Sequence, residues 1–409
     1  MTTILITNAN VIDTRAGTTL ADRQVLVRDG RIVEVSETPV RNGADHTVDA
    51  GGRYLLPGLC DGHVHVTAIT PDFPLLRRLS PFYVAAASAE ILSAMLMRGF
   101  TTVRDAGGAD HGLARAVEED RIHGPRLLFC GHALSQTGGH GDMRAPGEQE
   151  LDQCFCCAGL GLVCDGVPEV RRAARHEIRK GATHIKIMAS GGVSSPTDRI
   201  DSDQFAFDEI DAVVAEAQAA NIHVMAHAYT ARSINRLIPR GVRTIEHGNL
   251  LDDESCRLFR EHDAFLTPTL STYDALAREG VEAGMAPELQ RKVYHVLDAG
   301  AQALERAQRH GVRMVFGTDL LGRMHVHQLN EFHLRKDVIP AADLLRSATC
   351  TAADAFLQSG EIGVIEPGAR ADLLVAEANP LDDIASLTRP QTNLRLIMKG
   401  GRVYRNTLT

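Results

Sequence analysis

Five side chains in this sequence have the types and the setting to grip metal ions: His63, His65, His227, His247 and Asp319. Lys186, a cation and a poor metal ligand as translated, stands in the same kind of setting. His63 and His65 close the run Gly58-Leu-Cys-Asp-Gly-His-Val-His. Side chains on an extended strand repeat every two residues, so both imidazoles project from one face. Imidazoles placed that way can chelate one divalent ion. A lone H-x-H carries little weight, and the other four residues give it meaning. Each stands at the C-terminal end of an apolar, strand-like run. Lys186 lies in Thr183-His-Ile-Lys-Ile-Met-Ala-Ser-Gly-Gly, His227 in Val224-Met-Ala-His-Ala-Tyr-Thr, His247 in Ile245-Glu-His-Gly-Asn, and Asp319 in Phe316-Gly-Thr-Asp. Four imidazoles and a carboxylate buried there need partners or a metal.

The elements that must position them alternate along the chain. Apolar β-like runs at 55–66, 100–106, 126–132, 183–189, 222–228, 243–247, 264–270 and 313–320 are separated by segments of helical periodicity. One such helix starts near Pro168 and stops before Gly181; another spans Asp208 to Ala220. Eight strands alternating with helices predict an α/β fold, a (β/α)8 TIM-like barrel over residues 57–359, with its site at the C-terminal strand ends. A doubly wound sheet is the other arrangement of such a pattern, but no Gly-rich phosphate fingerprint follows any strand. Residues 1–56 and 360–409 read as short strands with turns such as Asp29-Gly30 and Lys399-Gly-Gly. They predict a small β-sandwich domain built from both chain ends.

Composition narrows the function. Of the 409 residues, 44% are hydrophobic and 23% charged, which are globular values. A net charge of −9, no Lys/Arg cluster and no Trp argue against a nucleic-acid partner. No run of about 18 apolar residues predicts a membrane span, and the N-terminus lacks the basic and apolar regions of a secretory signal. A cytoplasmic enzyme is the expectation. Four of the eight cysteines crowd together as Cys154, Cys156, Cys157 and Cys164, with no zinc-finger spacing, and read as a thiol-rich loop.

Pro57-Gly58-Leu59 with Asp61-Gly62-His63-Val64-His65, then Lys186, His227, Glu246-His247-Gly248 and Gly317-Thr318-Asp319, resemble the amidohydrolase superfamily across essentially the whole chain. Ile185-Lys-Ile-Met, Ser190-Gly-Gly, His227-Ala-Tyr229 and Gly138-Gly-His140-Gly-Asp142 look like its metal-dependent Xaa-Pro dipeptidase and carboxypeptidase group, whose relatives include ochratoxin-cleaving amidases. The resemblance implies one Zn2+ on His63, His65 and Asp319 and a second on His227 and His247. Lys186, carboxylated by CO2, would bridge the two together with a hydroxide. Asp319 would take the nucleophile's proton and pass it to the leaving nitrogen. His140, in a Gly-rich loop, would serve the carbonyl oxygen, and Tyr229 the substrate carboxylate or carbonyl. The implied partner is a small amide or peptide, and relatives assemble as homo-oligomers.

Blander readings stand beside these. Lys186 can snorkel at a strand end, and Asp319 can cap a following helix. His325-Val-His327, lacking matching partners, reads as a decoy, and His111, His132 and His184 as structural. Glu246 should face away from its neighbour His247 by strand alternation. Arg199 and Arg232 are candidate carboxylate clamps, and a loop over 268–300 a candidate pocket wall or lid. The expected activity is binuclear zinc hydrolysis of dipeptides or N-acyl amino acids. The alternatives are a mononuclear zinc deaminase or a cyclic-amide hydrolase of the imidazolonepropionase kind, and a non-catalytic metal-binding scaffold. Superfamily deaminases tend to carry an acid three residues past the fifth-strand histidine, where this chain has Thr230.

Overall fold

A computed structural model describes residues 2–40, 43–149 and 159–408. Cys154, Cys156 and Cys157 lie outside the described residues. Cys164 is a buried thiol whose pKa burial pushes up to about 12.

The fold is α/β with parallel sheets. Strands covered on both faces read as continuous apolar runs, and Leu59–Val64, Phe100–Asp105 and His184–Met188 are buried along their whole length. The first two pair in parallel with each other, and the second also with Arg126–Leu128. A second sheet runs in the order Gly161–Val163, Ala133–Ser135, His184–Met188, His223–Thr230, Thr244–Leu250, Phe265–Thr267. Its parallel register sets His227 opposite Met188 and His247 opposite Ala228, which brings the polar strand ends to one level. Thr183 N donates to Phe129 O at 2.9 Å and links the two sheets. Helices such as Gly166–Arg179 and Phe207–Ala219 fill the crossovers.

The eighth expected strand, 313–320, is no regular strand. Met314 forms a single parallel bridge to Leu266. Gly62 N reaches Phe316 O at 2.7 Å, but Phe316 N donates to Ser347 O at 2.9 Å and Cys60 N to Ala348 O at 2.7 Å. Backbone groups of 347 and 348 thus take bonds that a continuous strand ladder would have used. The expected loop over 268–300 is likewise different: it is largely two helices, Leu270–Ala283 and Gln290–Arg309. Its residues Thr272 and Leu276 do line the pocket.

The two chain ends meet in one eight-stranded sheet. Arg402–Asn406, Leu394–Lys399, Leu373–Ala376, Tyr54–Pro57, Thr3–Asp13, Thr18–Arg28 and Arg31–Ser36 follow in that order, with His46–Asp49 also on Thr3–Asp13. Asn8, at φ 52°, marks an irregularity in the long first strand. Residues before it pair with His46–Asp49 and residues after it with Tyr54–Pro57. Ile6, Val25, Leu55, Leu373, Val375 and Leu396 form this sheet's own core.

Candidate active site

All six metal-ligand candidates line one pocket, with His140 and Tyr229 in the same wall. Asp61 fixes its floor. That buried carboxylate accepts from His63 N at 3.1 Å, Thr318 Oγ1 at 2.7 Å and Gln328 Nε2 at 2.9 Å, tying the first strand to the 317–319 segment. Asp319 N then donates to His63 O at 2.7 Å. With φ 54°, Asp319 turns its carboxylate toward both histidines, and Oδ1 lies 3.3 Å from His63 Nε2 and 3.2 Å from His65 Nε2. The ring of His247 sits 5.0 Å from that of His63 and 4.6 Å from that of His227. Lys186 is fully buried beside them. Asp319 caps no helix, because the next helical turn, Gly322–His327, starts after Leu321.

Each imidazole has one nitrogen engaged by the protein. His63 Nδ1 donates to Glu246 Oε2 at 2.8 Å, His65 Nδ1 to Gly107 O at 2.9 Å and His227 Nε2 to Gly191 O at 3.1 Å. His247 Nδ1 bonds Thr269 Oγ1 at 2.7 Å. Anchoring one nitrogen fixes the tautomer and leaves the other to a metal. His63, His65 and Asp319 offer three ligand atoms within 4.8 Å of one another, the donor set of a zinc site. The residues fit a divalent metal.

Glu246 corrects the expectation from strand alternation. Thr244 and Glu246 share the inward face by the period of two, with Thr244 Oγ1 2.7 Å from Glu246 Oε1. It is His247, with left-handed φ 76°, that leaves the alternation and turns inward as well. Glu246 bridges His63 to Arg104, whose Nη2 lies 3.2 Å from Glu246 Oε1. Arg104 is fully buried and also donates to Gly62 O at 2.9 Å and Thr244 Oγ1 at 3.2 Å.

Burial and neighbouring charges set the protonation. Burial holds His227 and His247 well below the usual imidazole value, in the neutral, ligating form. Burial also lowers Lys186, with Glu246 and Asp319 opposing. His65 feels the same burial, its largest single influence, but the Asp319 carboxylate, the charge of Asp105 and the Gly107 carbonyl together outweigh it and raise its pKa. Burial works to raise both Asp319 and Glu246. His63, His65 and His247 together nonetheless keep Asp319 well below the carboxylate range, and Arg104, His63 and Lys186 together do the same for Glu246.

His140 stacks on His227 with centroids 4.3 Å apart. Its Nδ1 donates to Ser195 Oγ at 2.8 Å, and Ser195 donates onward to Asp198. Lys292 donates to the carbonyls of Gly192, Ser195 and Asp198 at 3.1, 3.0 and 2.7 Å, clamping that loop. Tyr229 lies on the strand, as read from the sequence, with Tyr273 Oη donating to its hydroxyl at 3.0 Å. Thr269, Tyr273 and Lys292 lie within the 268–300 stretch read as a candidate pocket wall, whereas Ser195 and Asp198 carry no motif that marks them in the sequence. Only the closeness of Ser195 and Asp198 to Ser190-Gly-Gly offers a signal.

Arg199 and Arg232 are not clamps. They are exposed, pair with Asp201 at 2.9 Å and Asp203 at 2.7 Å, and do not line the pocket. His327 bonds Glu279 at 2.5 Å while His325 is buried on the same short 3-10 turn, so that H-x-H forms no chelate. His132 reaches the pocket wall but its Nδ1 is held by Glu177 at 3.1 Å. His184 bonds Asp105 O at 3.1 Å, and His111 is exposed.

The sequence profile of the amidohydrolase family matches residues 54–403. The chain belongs to the amidohydrolase family. As such it is a hydrolase of amide C–N bonds. An ochratoxinase of Aspergillus niger is 31% identical to this amidohydrolase over 364 residues, 86% of this chain and 75% of the relative. A prolidase solved in complex with N-methylphosphonate-L-proline is 47% identical, with TM-score 0.96 over 99% of this chain and all of that one. A Xaa-Pro dipeptidase with methionine bound in its active site is 26% identical, with TM-score 0.87 over 99% of this chain and all of that one. No described helix is long and apolar enough to cross a membrane.

Proposed function

We propose that this amidohydrolase cleaves dipeptides or N-acyl amino acids, releasing the C-terminal residue with its carboxylate free. One observation carries the reading: six ligand-type side chains from five places in the chain line one pocket whose walls include Phe73, Leu76, Met143 and Leu276. Polar chemistry at the floor and apolar walls suit an amide flanked by apolar side chains. The ochratoxinase and prolidase likenesses support the same substrate class.

In this reading His63, His65 and Asp319 would hold one zinc and His227 and His247 a second, and Lys186, as a carbamate, would be a further ligand. The lowered pKa of Lys186 supports that role, since the neutral amine is the form that reacts with CO2. Zinc so held supplies Lewis acidity and makes water acidic enough to attack at neutral pH. Asp319 accepts the proton of the attacking water and returns it to the departing nitrogen. His140, backed by Ser195 and Asp198, contacts the scissile carbonyl, and Tyr229 orients the substrate. Water and amide become a carboxylate and an amine.

We also read residues 57–359 as one closed (β/α)8 barrel and 1–56 with 360–409 as a small second domain. The bridge from Met314 to Leu266 and the hydrogen bond from Gly62 N to Phe316 O support closure.

The test is metal analysis combined with a panel of N-acyl amino acids and Xaa-Pro dipeptides. The expected result is about two zinc per chain and release of the C-terminal amino acid. Ammonia release from a heterocycle would replace this reading with the deaminase, and a metal-replete protein without turnover would remove it.

A further inference from the structure

Beyond the end of the first parallel strand the chain crosses to the pocket rim. Asp72 Oδ1 accepts from Leu75 N at 2.9 Å and starts the short helix Phe73–Leu76. Phe73 and Leu76 are buried in the same apolar cluster as Tyr229 and Tyr273, which fixes the turn in place. Arg77 follows directly and lines the pocket together with the six floor residues.

Arg77 differs from every other charge at the site. Its Nε is buried without a hydrogen-bond partner, and its guanidinium has no ion pair among the described residues. Of the other charged groups lining this pocket, Asp142 is gripped by Arg144 at 2.8 and 2.6 Å. Asp319 faces His63 and His65, and Lys186 feels Glu246 and Asp319. Lys292, close by, is spent on three carbonyls. A guanidinium stays charged at any working pH and presents a planar fork matched to a carboxylate. A buried donor left without an acceptor is a standing cost to the fold, and an arriving anion removes it.

We propose that Arg77 receives the free carboxylate of the substrate's C-terminal residue and thereby sets the preference for uncapped over capped amides. The assignment rests on the amide-hydrolase reading and deepens it. Arg77 is then a specificity determinant, more than a hundred positions before Arg199 and Arg232 in the chain.

The experiment compares wild type, Arg77→Met and Arg77→Lys on the best substrate among the N-acyl amino acids and dipeptides and on its C-terminal carboxamide. Arg77→Met is expected to lower kcat/KM on the acid about 100-fold while changing it less than about 3-fold on the carboxamide, as loss of one charge-assisted pair requires. Arg77→Lys is expected to recover part of the loss, keeping charge but not the fork. The released amino acid should raise the Tm of wild type and not that of Arg77→Met. An equal loss on acid and carboxamide, an unchanged rate on the acid, or equal protection of both proteins would overturn the assignment. If metal-replete wild type cleaves neither substrate, the amide-hydrolase reading fails and takes this assignment with it. If it cleaves both and Arg77→Met is unselective, that reading stands and Arg77 alone is excluded.

Discussion

Asp319 joins the site through a backbone turn as much as through its carboxylate. Its left-handed φ and its N–H bond to His63 O hold Oδ1 at nearly the same distance from two imidazoles. Asp319→Asn keeps the shape and removes the proton acceptor. Steady-state assays should show turnover slowed by about 100- to 10,000-fold, on the order of general-base catalysis, with Tm little changed. Glu246 acts at one remove, by aiming His63 and neutralising Arg104. Glu246→Gln strands a buried guanidinium, so urea unfolding should show a loss of about 3–5 kcal/mol, and zinc affinity should drop about 10–100-fold. The sign with pH follows from a folded pKa held below the ordinary value of 4.5. The stability Glu246 contributes is complete above that ordinary value and is lost as pH falls toward the folded one. The gap in urea midpoint between wild type and Glu246→Gln should therefore narrow as pH is lowered below about 4.5.

Loops rather than strands decide how the pocket is walled. The segment after the fourth strand carries Gly192 under the His140 ring, where a Cβ would lie 2.0 Å from Cε1. His140 has little room to retreat, being bonded to Ser195 and stacked on His227. Gly192→Ala should thus cost as much kcat/KM as His140→Ala, with a Tm drop of only a few degrees. Steady-state kinetics on the three proteins checks the equality. If Gly192→Ala leaves the rate intact, His140 is not held where this geometry puts it.

At the scale of the molecule, the two chain ends are structurally one unit. Leu373, Leu374 and Val375 are wholly buried between Tyr54–Pro57 on one side and Leu394–Lys399 on the other. Removing residues 394–409 would expose that strand's edge and the apolar face beneath it. The truncated chain is expected to be recovered as aggregate, and size-exclusion chromatography of the soluble fraction checks this. Recovery of a monodisperse, fully active product would show that the terminal sheet is dispensable to the parallel core.

The alternation of β-like runs and helices, and the six ligand types at the run ends, were legible without coordinates. Burial on both faces forces apolar strands, and a polar side chain at the end of one stands out against that background. The pairing of the two ends was legible for a related reason, since short alternating strands need neighbours. What stayed hidden depended on backbone torsion or on which loop meets which. Glu246 and its neighbour His247 both face inward because His247 left the strand conformation, a change no period can register. The 313–320 run keeps single bonds to both neighbouring strands but no continuous ladder, because Phe316 N and Cys60 N turn instead to the carbonyls of Ser347 and Ala348, later in the chain. Arg77, Ser195 and Lys292 reach their places through long-range packing, and side chains outside the regular strands carry no periodicity toward the pocket by which to find them.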